Sequence, residues 1–215
     1  MGASINDAGF APPAVLPFAP GTSPFRQKGN GYLGDFAYFD AMIRGGSRAV
    51  IAALPEGPLR EFHEQKFNGS DWYDAFPCAM LHLAAARLRG VTYVEHRRQV
   101  GAYHAQKAAG GIYRALLKVI SNENVALWGP RVSSIFFEFG KTETRIAGPR
   151  HVIARRRGVP TGLVQFVVGA SRGFCEESLK LAGATSTNVE LGAIEPDGRE
   201  HGLELWRVDV AMQWA

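Results

Sequence analysis

The C-terminal stretch "HGLELWRVDVAMQWA" alternates: Trp206, Val208, Val210, Met212 and Trp214 are apolar, while Arg207, Asp209 and Gln213 are polar. A period of two places successive side chains on opposite faces, so this segment is a strand with one buried and one wet face. Such a strand needs neighbours along its edges and a layer over its apolar face. "STNVELGAI" reads as one neighbour, joined to the last strand through Glu195-Pro-Asp-Gly198-Arg199. Pro presets φ in such a turn and Gly accepts a positive φ. "KTETRIAGPRHVIARRRG" reads as two more strands around Gly148-Pro149.

The covering layer lies between the two hairpins, in "LVQFVVGASRGFCEESLKLAG", residues 163–183. On a helix, Val164, Val167, Val168, Ser171, Phe174, Cys175, Ser178, Leu181 and Ala182 share one broad face. Gly169 and Gly173 stack beside it and leave a groove for another backbone, and Gly183 stops the helix. The same string contains G-x-S-x-G, the nucleophile elbow of serine hydrolases when it joins a strand to a helix. Leu163 to Val168 reads either as that strand or as the first helical turns. A triad would need an acid and then a histidine downstream, and only Asp197, Asp209 and the single His201 remain. The forty or so residues that follow cannot supply the rest of a hydrolase sheet, and no His-Gly-Gly motif is present. The chain therefore reads as non-enzymatic, and a serine hydrolase using Ser171 is kept only as an alternative.

Upstream the period changes from two to 3.6. Phe36, Phe39, Met42 and Ile43 form a stripe on a helix from Asp35. Pro58 opens a short helix, Ser70 or Asp71 caps another segment, and Pro77 starts a helix that Gly90 stops. Thr92 to Glu95 is a capping box opening a helix to about Ala108. "IYRALLKVI" resumes the pattern, and Asn122 caps a further segment. Residues 1–34, rich in Pro and Gly, read as a flexible tail or a docking arm with Val15, Leu16 and Phe18 as anchors. The expected fold is a single α+β domain over 35–215, a helical N-terminal half followed by a β-β-α-β-β antiparallel sheet layer.

Composition narrows the function classes. A net charge of +4 in 215 residues is mild, and no nucleic-acid motif occurs, so nucleic acid is not an expected partner. Arg97, Arg98, Arg155, Arg156 and Arg157 form a candidate basic patch for phosphate or an acidic partner, set against a plain solvated face. Cys78 and Cys175 form no C-x-x-C pair and suit reduced thiols in a cytoplasmic protein. The first basic residue is Arg26, so a leader's positive start is missing, and no apolar run is long enough to span a bilayer. "HEQKF" from His63 lacks the second histidine of a zinc-protease motif, and His96 and His104 are two helical turns apart. Neither a metal nor a cofactor is expected.

"VGASRGFCEESLKLAGATSTNVEL", followed by a hairpin ending in "LWRVDVAMQW", resembles the C-terminal part of small-molecule-binding domains related to vinyl-reductase regulators. Those share a fold with TRAPP vesicle-tethering subunits and haem nitric-oxide sensors. "SDWYDAF" and "RQVGAYHAQKAAGG" are similar, more specifically, to a myxobacterial paralogue domain family of unknown function, over about residues 36–214. The resemblance implies a TRAPP-like, non-catalytic ligand-binding or assembly domain. The haem sensors carry Tyr-x-Ser-x-Arg, whereas Tyr93-Val-Glu-His-Arg97 has Glu95 at the serine position, so haem is not expected. A cysteine-rich C-terminal pattern is also missing.

Together these readings point to a sensory or regulatory domain that binds an apolar small molecule or forms a homodimer. Phe137, Phe166, Phe174, Trp206 and Met212 are the candidate ligand-binding residues, each set against plain core packing. The alternative is a scaffold or protein-interaction subunit docking through its N-terminal arm.

Overall fold

The computed structural model describes residues 10–108 and 121–215. The helix expected over "IYRALLKVI" and the first nine residues of the expected tail lie outside the described residues. The N-terminal half runs β1 (Arg26–Lys28), α1 (Gly29–Met42), α2 (Gly46–Ala52), α3 (Pro58–Glu64), β2 (Trp72–Asp74), α4 (Ala75–Arg89) and α5 (Tyr93–Ala108). From residue 121 onward come α6 (Asn122–Trp128), a 3-10 turn (Gly129–Val132) and the short α7 (Ser133–Phe136).

Local chemistry sets several of these boundaries. Asp74 caps α4 by accepting from Phe76 N at 2.9 Å. It also accepts from the backbone N–H groups of Gly21 and Ser23, so one carboxylate ties the N-terminal segment to a helix start. Gly90 ends α4 at φ 65°, a conformation that favours glycine. Half of the capping box forms: Thr92 Oγ1 accepts from Glu95 N at 3.2 Å. The Glu95 carboxylate turns instead to Gln99 and Arg98.

The N-terminal segment packs on the core. Phe25 is 1% exposed, between the rings of Phe18, Phe76 and Phe139. Phe10 meets Trp206 edge-on at 4.8 Å. Of the expected arm anchors, Leu16 and Phe18 pack against the chain's own core and Val15 is exposed. The helix carrying Asp35 begins six residues earlier, at Gly29, preceded by β1 paired with β2.

The C-terminal half is β3 (Lys141–Gly148), β4 (His151–Pro160), α8 (Val164–Leu181), β5 (Thr187–Glu200) and β6 (Leu203–Trp214). The four strands form one antiparallel sheet in the order β3-β4-β6-β5. The α+β class and the β-β-α-β-β layer are as the sequence indicates. Val208, Val210 and Met212 of β6 join Val152 and Ala154 of β4 on the buried face, and α8 covers them. The β5–β6 turn is not Pro-Asp-Gly but His201-Gly202, with φ 48° and 81°, suited to a two-residue hairpin. Pro196-Asp197-Gly198 is a bulge inside β5, where the register shifts between Pro196 and Arg199. Asp197 is occupied across the sheet, accepting from Arg157 Nη2 at 2.8 Å and Gly158 N at 2.9 Å.

Residues 164–168 are the first turns of α8, so Gly169-Ala-Ser-Arg-Gly173 lies mid-helix and forms no elbow. Its glycines serve packing. A Cβ on Gly173 would fall 1.8 Å from Arg98 O, and one on Gly101 of α5 would fall 1.9 Å from Ala170 O. The two helices thus cross backbone to backbone. Gly173→Ala forces them apart because the added Cβ meets Arg98 backbone and not a flexible side-chain end, and it is expected to cost ~3 kcal/mol in urea denaturation. Gly183→Ala, with nothing within 4 Å of the added Cβ, is the control for backbone strain alone.

Candidate functional site

Beside this crossing, α1, α5 and α8 enclose an open-sided cavity of about 620 Å³. Val167, Ala170, Phe174 and the Phe136-Phe137 pair supply its apolar walls. Gln27, Asp35, Arg97 and His104 supply its polar surface. Arg97, Gly101 and His104 are four and then three residues apart on α5, a spacing that puts them on one face. Phe137 is held by an isolated bridge to Gln27, which draws the end of α7 onto β1.

Asp35 anchors a buried polar chain. Its Oδ2 accepts from the Cys78 thiol at 3.3 Å and lies 3.1 Å from His82 Nε2. His82 Nε2 is also 2.5 Å from Arg97 Nη1, and His82 Nδ1 is 3.0 Å from His96 Nε2. Arg97 Nε donates to Phe166 O at 3.0 Å, and its guanidinium lies 4.0 Å from the Phe166 ring centre. This chain joins α1, α4, α5 and α8. Burial alone would push the Asp35 carboxyl up, but contact with His82 and the nearby Arg97 and His104 outweighs it, holding the group well below the usual carboxylate range. Burial first, and Arg97 second, depress the His82 imidazole to about 4. Burial also depresses His96, to about 2.

Three side-chain atoms at the cavity are buried without a well-aligned hydrogen-bond partner: Gln27 Nε2, beside the Cys78 thiol, Asp35 Oδ1, and His104 Nε2, beside the Gly34 backbone. Gln27 and Asp35 are each 3% exposed. His104 Nε2 is 3.4 Å from Asp35 Oδ1, close in charge terms yet not aligned for a hydrogen bond. Buried polar atoms are nearly always paired, so three orphans around one apolar cavity mark a place for a ligand.

Asp35, Cys78 and His82 also bring three metal-ligand atoms within 4.8 Å of one another. A cation there would face Arg97 Nη1, which already contacts the same imidazole nitrogen. Burial holds Cys78 as the thiol, and the guanidinium supplies the positive charge, so the cluster suits a hydrogen-bonded ion pair better than a metal.

Of the five apolar candidates, Phe137 and Phe174 line the cavity. Phe166 is fully buried beneath Arg97. Met212 is sheet core, and Trp206 packs on Phe10 and donates from Nε1 to Thr161 Oγ1 at 2.7 Å, so neither reaches the site. The five arginines do not make a patch, because strand alternation splits the run on β4. Arg155 pairs with Asp209 at 2.7 Å and Arg157 with Asp197 at 2.8 Å on the outer face. Arg156 points inward and donates to Phe139 O and Thr142 Oγ1. Arg97 is in the buried chain, and Arg98 bridges Glu95 and Glu176. Ser171 donates back to Val167 O at 2.9 Å.

The sequence reading missed Gln27, Asp35 and His82 as site residues. The available signals were Cys78 and His82 four apart on α4, and Arg97 and His104 seven apart on α5.

No protein-family model matches this chain, and no curated protein matches it. Solved structures do. A Cs H-NOX variant superposes with a TM-score of 0.62 at 12% identity, covering 87% of this chain and 96% of that one. The chain has the H-NOX fold. An H-NOX variant from T. tengcongensis matches at TM-score 0.61 and 12% identity, covering 87% of this chain and 97% of that one. An oxygen-binding H-NOX domain related to soluble guanylate cyclases, described in its oxygen complex, matches at 0.58 and 12%, with 87% and 94% covered. Of the three related folds in the resemblance, the comparison supports the haem nitric-oxide sensor, and the TRAPP and vinyl-reductase likenesses gain no support from it.

Proposed function

We propose that this chain is a non-catalytic sensory domain that binds a small molecule in the cavity between α1, α5 and α8. The observation that carries this reading is the meeting of Gln27 Nε2, Asp35 Oδ1 and His104 Nε2, all buried and unpaired, with the aromatic walls of one cavity. The volume falls within the range of small-molecule sites. H-NOX domains of the same fold include an oxygen complex and proteins described for their haem distortion, which supports a ligand-binding role.

Haem itself does not fit these residues. Iron in such a group takes a histidine, thiolate or tyrosinate ligand. His104 Nε2 lies on the cavity wall 3.4 Å from the ionised Asp35 Oδ1, which competes with an iron for that nitrogen, and the Tyr103 hydroxyl donates to Ala37 O. Burial pushes the Cys175 thiol up to about 12, so that group is not a thiolate.

A hydrolase through Ser171 is set aside, because its hydroxyl is spent on Val167 O in the middle of α8. A docking arm is disfavoured by the inward packing of Phe18 and Phe25. Among the described residues no helix is long and apolar enough to cross a membrane. Two free, buried thiols suit the reducing cytoplasm expected from the sequence.

Native mass spectrometry of the whole chain tests the reading. The wild type is expected to retain a noncovalent small molecule from its expression host, and Ala170→Phe, which fills the cavity, to lose it while staying folded. Equal retention by both proteins would contradict the cavity as the site. The same spectra report whether the chain is a monomer or a homodimer.

A further inference from the structure

Resting on that reading, we infer that the ligand is uncharged, with an apolar body and a hydrogen-bond donor beside an acceptor, as on the edge of a carboxamide or lactam. The unpaired atoms define the polar edge. Asp35 Oδ1 only accepts, and Gln27 Nε2 only donates. His104 Nε2 can do either, according to tautomer. A donor alone would leave the glutamine orphaned, and an acceptor alone would leave the carboxylate orphaned.

Charge argues against an ionic ligand of either sign. Asp35 already has its counter-charge, because Arg97 Nη1 lies 3.9 Å from Oδ1 with both side chains 4% exposed. A cation beside Asp35 would meet Arg97, and an anion beside Arg97 would meet Asp35. Among the described residues that line the cavity, the remaining charge is the exposed Lys107, with Nζ 5.3 Å from the centre of the Tyr103 ring. Phe137 and Phe174 give nothing to solvate an ion, so burying one there carries its full desolvation cost. The Ser171 hydroxyl donates its proton to Val167 O, so it offers the cavity an acceptor and no donor.

Calorimetry with three probes of one shape decides the matter: 2-naphthamide, 2-naphthoate and naphthalene-2-carboxamidine. The neutral amide is expected to bind the wild type about tenfold or more tighter than either charged probe, the scale of one charge-assisted hydrogen bond. Gln27→Leu keeps the buried volume and removes the donor, and it is expected to cost the amide about tenfold. Circular dichroism confirms its fold. Asp35→Asn, where it folds, is expected to weaken the amide and narrow its lead over the carboxylate. Ala170→Phe is expected to abolish binding of all three. If a charged probe binds as tightly as the amide, or Gln27→Leu leaves the amide unchanged, the ligand class is wrong while the cavity stands. If no probe binds, or Ala170→Phe binds them undiminished, the cavity reading falls and takes the ligand class with it.

Discussion

Asp35→Ala is expected to destabilise the fold by about 3–5 kcal/mol, the scale of breaking a buried ion pair from one side. Asp35 lies within reach of His82, Arg97 and His104 and accepts from Cys78. Removing it leaves the Arg97 guanidinium, 3% exposed as a residue, without its carboxylate. Arg97 keeps its bond to Phe166 O, so the loss falls on charge compensation and not on that contact. Urea denaturation measures the effect. Removing both charges in Asp35→Ala/Arg97→Met is expected to cost clearly less than the two single changes added together, because no lone charge is then buried. A loss below about 1 kcal/mol in Asp35→Ala would mean that water reaches the pair and that the site is not closed at that depth.

A comparable loss is expected on acidification, between about pH 6.5 and pH 4. Burial depresses His63 to about 4 and His82 to about 4, against an unfolded value near 6.5. Across that window the unfolded chain binds protons that the folded chain refuses. Stability is therefore full above pH 6.5 and falls as the pH drops towards 4. Each of these two histidines contributes about 3 kcal/mol to the fall. His96 and His104, also depressed by burial, act in the same direction. Asp35 works in the opposite range. Its folded-state carboxyl is depressed, so its contribution survives this window and is lost only below the unfolded carboxylate value. Thermal melts across pH check the slope. His63→Leu removes one contributor outside the cavity lining and is expected to flatten the slope. A melting temperature constant from pH 7 to pH 4.5 would show that these imidazoles are already charged in the fold.

The C-terminal half was legible because its signals are local. Period-two alternation marked β6, and the apolar face with its two glycines marked α8. The close approach at Gly173 was foreseeable as a groove, although its partner, Arg98 O on α5, was not. Pro-Asp-Gly misled because a turn motif can also make a bulge, and here Arg157 and Gly158 from another strand hold Asp197. β1 and β2 are three residues each, too short for any periodic signal. The arginine run looked like a patch as text, but on a strand its members face opposite ways. The site was the least legible part. Gln27, Asp35, His82 and His104 come from four elements and become a set only when those elements pack together. Phe137 and Phe174 do lie on the cavity wall, since large aromatic side chains line apolar cavities as readily as cores.

A crystal structure of the full chain, purified without ligand removal, tests the central claim most directly. The expected result is an open cavity holding non-protein density within hydrogen-bond distance of Gln27 Nε2 and Asp35 Oδ1. The contradicting result is a cavity closed by its own walls, with Gln27 Nε2, Asp35 Oδ1 and His104 Nε2 bonded to protein groups.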